Sequence, residues 1–489
     1  MSPQLQQPAD LILRGGTVID GTGAPGFRAE VAIRGDRIVA VGALADAAAR
    51  TELQVDGLIV APGFIDVHTH DDLSCLAEPD TIAKISQGVT TVIVGNCGIS
   101  APFLSFDGPI DEPFNLLGHA AEFRYPRFRD YAAAVDAARP GTNIAALVGH
   151  STLRLRCVAD LGRRATAGEV AAMTALLEEA LDEGALGLSS GLFYSTATAA
   201  DRDEIRPLAH RVAAADGVYT AHIRDEYDDI IGALEEFFGS ADDRTLPLVV
   251  SHHKCAGVRN WGRSRETLGM IDRVRTDRPV FMDCYPYVAG STVLRRDLAD
   301  GEIDVIVTWS TPHPEMAGRK LKTIAQEWGC TEGDAAERLS PGGATYFQMH
   351  EDDVRAIMRH EACMFGSDGL PRDPLPHPRL WGTFPRVLGH YARDAGLMPL
   401  EEAVRRMTGL SASTFGLADR GTIAPGMAAD ITVFDAARVA DVATYPDPQR
   451  PSAGIAHVIV NGVVGWHSAA PAARNGRFVR RSRGGSGAA

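Results

Sequence analysis

Eight short apolar runs recur along the middle of this chain, each followed by a stretch with helical spacing. That alternation restricts the fold more than any other feature. The runs are Ile59 to Val67, Val89 to Val94, Ile144 to Val148, Ala185 to Leu188, Val218 to Ala221, Pro247 to Val250, Val280 to Met282 and Cys363 to Phe365. In the intervening segment Gly168 to Gly184, the residues Val170, Met173, Leu177 and Leu181 fall on one helical face, and Gly184 supplies a stop. Eight β-α repeats predict a closed parallel (β/α)8 barrel. An open doubly wound sheet would need a Gly-rich dinucleotide turn, which is absent where it should stand.

Both ends of the chain have a different texture. Leu11-Ile12-Leu13, Thr17-Val18-Ile19, Val31-Ala32-Ile33 and Ile38 to Val41 are short strand patterns, with a hairpin signal at Gly35-Asp36. Near the other end, Asp430 to Asp435 and Ile455 to Val464, broken at Asn461-Gly462, look alike. The expectation is one small β-sandwich built from residues 1–62 and 418–480, with the barrel over 63–417. Residues from about 286 to 349 break the barrel rhythm and contain a helix-like stretch, Pro314 to Gly329, so they are expected to form an insertion on the active face. The final segment, Arg477 to Ala489, is basic and then Gly/Ser/Ala-rich; disorder is expected there, with 481–489 as the tail.

The chemistry is legible at the residues just past each run, because catalytic groups of such a barrel gather at the carboxyl ends of its strands. His68 and His70 come after the first run, Cys97 after the second, His150 after the third, and Ser189-Ser190 after the fourth. His222 and Arg224 come after the fifth, His252 and Lys254 after the sixth, Asp283 and Tyr285 after the seventh, and Asp368 after the eighth. His68 and His70 are two apart on an extended segment, so both imidazoles face one side, as a tetrahedral metal site with nitrogen ligands requires. A satisfied polar pair is the competing reading, outweighed by the histidines after runs five and six. Cys97, between Gly95-Asn96 and Gly98, is either a thiolate ligand or a small buried hydrophobe. Its place just past a strand favours the ligand. His253 should point the other way, into packing or solvent. His150 is as readily structural as functional. Asp368, in Gly366-Ser367-Asp368-Gly369, is the candidate general base, although a turn or N-cap aspartate would look the same.

These stretches together resemble the amidohydrolase superfamily and, within it, the D-aminoacylase group. Phe64-Ile65-Asp66-Val67-His68-Thr69-His70 is similar to the superfamily's first-strand motif. Gly421 to Ile431 is similar to its return into the β-domain. Gly95-Asn96-Cys97-Gly98, Ser189 to Tyr194, Ser251-His252-His253-Lys254, Asp283 to Tyr287, Gly366 to Pro371 and His377 to Arg386 narrow it to the deacylases. Many superfamily members carry a bridging carboxylated lysine after the fourth strand; Leu188-Ser189-Ser190-Gly191 offers none, and the resemblance gives Cys97 that role. It further implies Cys97, His222 and His252 around a tight zinc, His68 and His70 at a weaker second metal position, and Asp368 as base. Lys254, Tyr285, Ser291 and Arg379 would hold the α-carboxylate of an N-acyl-D-amino acid. The D-configuration rests on the resemblance alone. Arg295, beside Arg296, suits an acidic substrate side chain and so N-acyl-D-glutamate; a solvent-facing basic pair explains the same two residues.

Composition limits the partners. A formal net charge of −15 argues against a nucleic-acid or anionic-membrane surface. Seven cysteines without tight spacing fit a reducing compartment, and with no secretory signal in Met1 to Asp10 the cytoplasm is the expected location. No apolar stretch is long enough to span a membrane. The sequence leaves the oligomeric state open. Two other readings remain. A hydantoinase-like cyclic amidase predicts the bridging lysine that is missing. A metal-free scaffold predicts lost ligands, yet all six metal-binding and base candidates are present.

Overall fold

The computed structural model describes residues 7–482 apart from 107, 109, 111 and 468. Eight parallel strands form the barrel: β1 (Phe64–Asp66), β2 (Val89–Val94), β3 (Asn143–Ala146, resuming at Val148–Gly149), β4 (Gly187–Gly191), β5 (Val218–His222), β6 (Leu248–Val250), β7 (Val280–Cys284) and β8 (Cys363–Phe365). Each pairs with its sequence neighbour in parallel. The ring closes between the loops after β8 and β1, where Thr69 and Gly369 form a parallel bridge and the Asp368 amide donates to the His68 carbonyl at 2.8 Å. All six residues of Val89-Thr90-Thr91-Val92-Ile93-Val94 are buried, as a strand covered on both faces requires. Each buried Val or Ile there contributes about 1.5–3 kcal/mol.

The helices obey their sequence signals. Ala167–Asp182 starts at a reciprocal capping box between Thr166 and Glu169 and buries Met173, Leu177 and Leu181. Of the expected face only Val170, in the first turn, is left partly exposed. Gly184 comes next with φ +105°, a conformation that L side chains rarely adopt.

Three expectations need correction. The first run, Ile59 to Val67, is not one strand. Ile59–Pro62 belongs to a separate seven-stranded sheet, where it pairs with Thr17–Val18 and Ile431–Phe434. Only after Gly63 does the chain enter the barrel. A Cβ at Gly63 would lie 2.1 Å from the Thr90 hydroxyl, so the crossing point needs glycine. Second, the helix expected over Pro314 to Gly329 is a 3-10 turn (Pro314–Met316) and then a helix at Leu321–Trp328, which Gly329 ends in the left-handed region. A Glu332–Leu339 helix and an antiparallel sheet of Gly290–Val293, Gly342–Tyr346 and Val305–Ser310 complete this inserted unit, within the span expected for an insertion. Its core includes Val305, Val307, Leu321, Ile324 and Tyr346.

Third, disorder does not begin at Arg477. Phe478 packs edge-on against Phe128 at 5.6 Å, Val479 donates its amide to the Ile144 carbonyl at 2.7 Å, and Arg481 donates to Gly184 at 3.1 Å. Two apolar residues inside a basic run anchor the segment to β3. Of the expected tail, residues 483–489 lie outside the described residues.

The remaining sheets stack on each other. Ala9–Arg14, Glu30–Arg34, Arg37–Gly42 and Ala49–Gln54 make a four-stranded sheet. The seven-stranded sheet combines Thr17–Val18, Phe27–Arg28 and Ile59–Pro62 with Ile431–Phe434, Ile455–Val460, Val463–His467 and Ala470–Pro471. Leu11, Leu13, Val31 and Ile33 from one sheet share a core with Val60, Ile431, Val433 and Ile459 from the other. Among the described residues, no helix is long and apolar enough to cross a membrane.

Candidate metal centre and substrate cavity

The carboxyl ends of β1, β2, β5, β6 and β8 bring six side chains to one place. Cys97 Sγ lies 3.2 Å from His68 Nε2 and 3.4 Å from His252 Nε2. His222 Nδ1 lies 2.9 Å from His252 Nε2, and His70 Nε2 lies 3.2 Å from Asp368 Oδ1. Donor atoms of His68, Cys97, His252 and Asp368 all fall within 4.8 Å of one another, and those of His222, Glu226 and His252 form an overlapping group. His252 belongs to both.

The local backbone is bent to achieve this. Cys97, His252 and Asp368 all have positive φ, at 53°, 35° and 48°. Left-handed backbone at non-glycine residues is strained, and here it coincides with three of the donors. Glycines make the Cys97 turn possible. A Cβ at Gly95 would meet the Leu147 carbonyl oxygen at 2.3 Å, and one at Gly98 the Gly191 nitrogen at 2.7 Å. Ser189, in the middle of β4, ties the turn together by donating to the Gly95 carbonyl and accepting from the Gly98 amide.

Supporting groups orient the donors. Asp283, at the end of β7, stands 3.1 Å from His68 Nδ1 and accepts the His252 amide at 2.9 Å. Lys84 is wholly buried and reaches Asp66 at 2.9 Å, Asp71 at 3.1 Å and the Ser367 hydroxyl at 2.7 Å. One ammonium therefore braces both sides of the His68–His70 segment and the residue before Asp368.

The electrostatics suit a cation. Burial opposes ionisation of Cys97, yet the charge of His68 and His252 and hydrogen bonds from His222 and His252 hold its thiol well below the ordinary value. Asp368 behaves likewise: against burial, the Arg379 charge and a hydrogen bond from His70 hold it well below the usual carboxylate range. The same anions, overcoming burial, push His70 up to about 9. A divalent cation carries the positive charge that such protons otherwise supply. Nitrogen, thiolate and carboxylate donors together suit zinc. His222 Nε2 and His70 Nδ1 are buried without a hydrogen-bond partner, so the cluster is not self-satisfied.

A cavity opens over this cluster, with Phe193, Tyr194, Leu116 and Leu370 in its apolar wall. Lys254, Tyr285, Ser291 and Arg379 line its polar side. The Tyr285 and Ser291 hydroxyls are buried and unpartnered. Arg379 stacks over the Tyr285 ring at 4.5 Å, donates to the Ser291 carbonyl at 3.0 Å and stands 2.9 Å from Asp368. Lys254 is held by Glu226 at 2.6 Å and lies 2.9 Å from His252 Nδ1.

Arg295 is placed differently. It gives Nε and NH2 to Asp297, at 2.9 and 2.6 Å, and lines an outer groove, not the cavity itself. A basic pair in the sequence carries no sign of the carboxylate that occupies it. His253 packs against the Thr267 hydroxyl at 2.9 Å, and His150 is bound to Glu204 at 2.9 Å beside Arg154. Both are structural. Glu226 was missed by sequence reasoning; its one signal is a spacing of four after His222. Lys84 gave none, because it lies in a short helix between β1 and β2.

The sequence pattern of the amidohydrolase family matches residues 54–290 and 329–464. The chain belongs to the amidohydrolase family. The internal unmatched stretch of this amidohydrolase falls within the inserted unit around Val305–Ser310. It is 50% identical over 483 residues to D-aminoacylase of Alcaligenes xylosoxydans xylosoxydans, covering 99% of this chain and 100% of the relative. It is 48% identical over 488 residues to N-acyl-D-glutamate deacylase of the same organism, covering 99% of each. Its backbone matches the crystal structure of N-acyl-D-glutamate deacylase from Bordetella bronchiseptica, complexed with zinc and a phosphonate that mimics the tetrahedral intermediate. There the TM-score is 0.93 at 47% identity, covering 97% of this chain and 100% of that one.

Proposed function

We propose that this amidohydrolase is a zinc-dependent N-acyl-D-amino-acid deacylase, releasing a carboxylic acid and a free D-amino acid, with N-acyl-D-glutamate among its substrates. One observation carries the reading: the Cys97 thiol, held well below its ordinary pKa by its histidine neighbours, lies within 3.4 Å of His68 and His252, beneath a cavity lined by His222, His252, Asp368 and Arg379. Near-equal likeness to a D-aminoacylase and a D-glutamate deacylase supports the substrate class.

In this reading Cys97, His222 and His252 hold the tight zinc, and His68 and His70, with Asp368 beside them, offer a second, weaker position. When bound, zinc supplies Lewis-acid polarisation of the scissile carbonyl and acidifies the attacking water. Asp368, held ionised by Arg379, takes the proton of that water and delivers it to the departing amine nitrogen. The substrate's α-carboxylate satisfies the orphan hydroxyls of Tyr285 and Ser291 and the unpartnered Nε of Arg379, with the Lys254 ammonium alongside. The Phe193 and Leu116 wall keeps bulk water from the reacting carbonyl. Seven cysteines without a disulfide support a reducing, cytoplasmic setting.

Paired assays with N-acetyl-D-glutamate and N-acetyl-L-glutamate, and metal analysis of the purified protein, test this reading. Hydrolysis of the D-isomer by a zinc-loaded protein is expected. Turnover confined to L-isomers or to cyclic amides overturns it.

A further inference from the structure

The cavity continues outward. Phe193, Tyr227 and Leu298 line both it and an outer groove on the solvent side. Arg295 stands in that groove with its guanidinium carbon 4.5 Å from the centre of the Phe193 ring, and Phe193 in turn stacks on His222 at 5.1 Å. Arg295 is therefore one aromatic ring away from the donor cluster, in the groove that shares Phe193, Tyr227 and Leu298 with the cavity.

Its charge is already engaged, because Asp297 takes two of its N–H groups in a side-on pair. The other groove arginines are paired as well, Arg224 with Glu236 and Arg259 with Glu302. Asp225, Asp228 and Asp300 line the same groove. An acidic side chain arriving here meets carboxylates first and must compete with Asp297 for its arginine.

We infer that Asp297 sets side-chain selectivity in this enzyme: by occupying Arg295 it handicaps acidic substrates relative to neutral ones. The inference rests on the deacylase reading and adds to it which residue tunes the charge preference. Asp297 is mostly exposed, so replacing it leaves the fold intact. Asp297→Asn frees the guanidinium without changing the shape of the groove.

The test compares kcat/KM for N-acetyl-D-glutamate and N-acetyl-D-leucine in the zinc-loaded enzyme. Asp297→Asn, and independently Asp297→Ser, should raise the glutamate-to-leucine ratio about fivefold, the size expected for a partly exposed ion partner. Adding Arg295→Met should cancel the rise. Asp300→Asn, a carboxylate of the same groove, should leave the ratio within about twofold. An unchanged or lower ratio in both Asp297 variants overturns the inference, as does an equal rise in Asp300→Asn or a rise that survives Arg295→Met. In each of those cases wild-type hydrolysis of N-acetyl-D-leucine leaves the deacylase reading standing. A wild-type enzyme inert on both substrates overturns that reading and this inference with it.

Discussion

The Asp368 carboxylate stands 2.9 Å from the Arg379 guanidinium, so the candidate base and the candidate substrate anchor are partners of each other. Arg379 is fully buried and donates its other edge to the Ser291 carbonyl. Substrate docking and base ionisation are thus coupled through one side chain.

That coupling predicts a pH effect. Asp368 works ionised, and Arg379 holds its pKa below the ordinary carboxylate value. Removing the arginine raises that pKa. In Arg379→Met the acidic limb of the kcat/KM profile should move to higher pH, and KM should rise through the lost carboxylate contact. A limb that stays in place would separate the two residues functionally.

Asp368→Asn should lower kcat by about 10²–10⁴-fold while the tightly held metal remains, since Cys97, His222 and His252 are untouched. Turnover measured alongside elemental analysis checks this. Near-wild-type turnover removes Asp368 from the role of base.

Cys97→Ala should behave in the opposite way. Losing the thiolate should weaken metal affinity by more than about 100-fold, so that the protein is purified with little zinc. Chelation of the wild type should abolish activity, and zinc alone should restore it. Undiminished zinc binding by the variant would place the metal elsewhere.

Lys84→Met tests the brace behind the site. The change leaves Asp66 buried without its ammonium partner, which costs about 3–5 kcal/mol. Denaturant unfolding reads this directly. A loss below about 1 kcal/mol would mean that water, or protonation of Asp66, relieves the unpaired charge.

Glu204 should govern part of the acid stability. Burial works against its ionisation, but hydrogen bonds from His150 and Arg154 hold it down at about 2, against an ordinary 4.5. A lowered folded-state value means that the stabilisation is complete above pH 4.5 and is lost as pH falls towards 2. Glu204→Gln should therefore be less stable at neutral pH and flatter between these limits in acid-unfolding curves. An equally steep curve would place the acid-sensitive carboxylates elsewhere.

Much of this was readable from residue order. His68, His70, Cys97, His222, His252 and Asp368 each come just after an apolar run, and a barrel sends every such position to the same rim. What the sequence hid depends on packing between distant segments. The run Ile59 to Val67 looks continuous because apolarity does not say which sheet a strand joins; the close approach of Gly63 to Thr90 decides it. Glu226 looked like one more acidic residue in a polar loop until Lys254 and His252 came beside it. Phe478 was read with its basic neighbours, and only its contact with Phe128 shows that it is an anchor.

That anchor has a bearing on synthesis. Ile59–Pro62 has Thr17–Val18 on one edge but waits for Ile431–Phe434 on the other, and the Ile144 carbonyl waits for Val479, so each early segment lacks one partner until those much later residues are translated. At about 5–20 residues per second a nascent chain carries open strand edges for tens of seconds. Stalled or clipped products ending before Phe478 would be the aggregation-prone species in a cell making this protein.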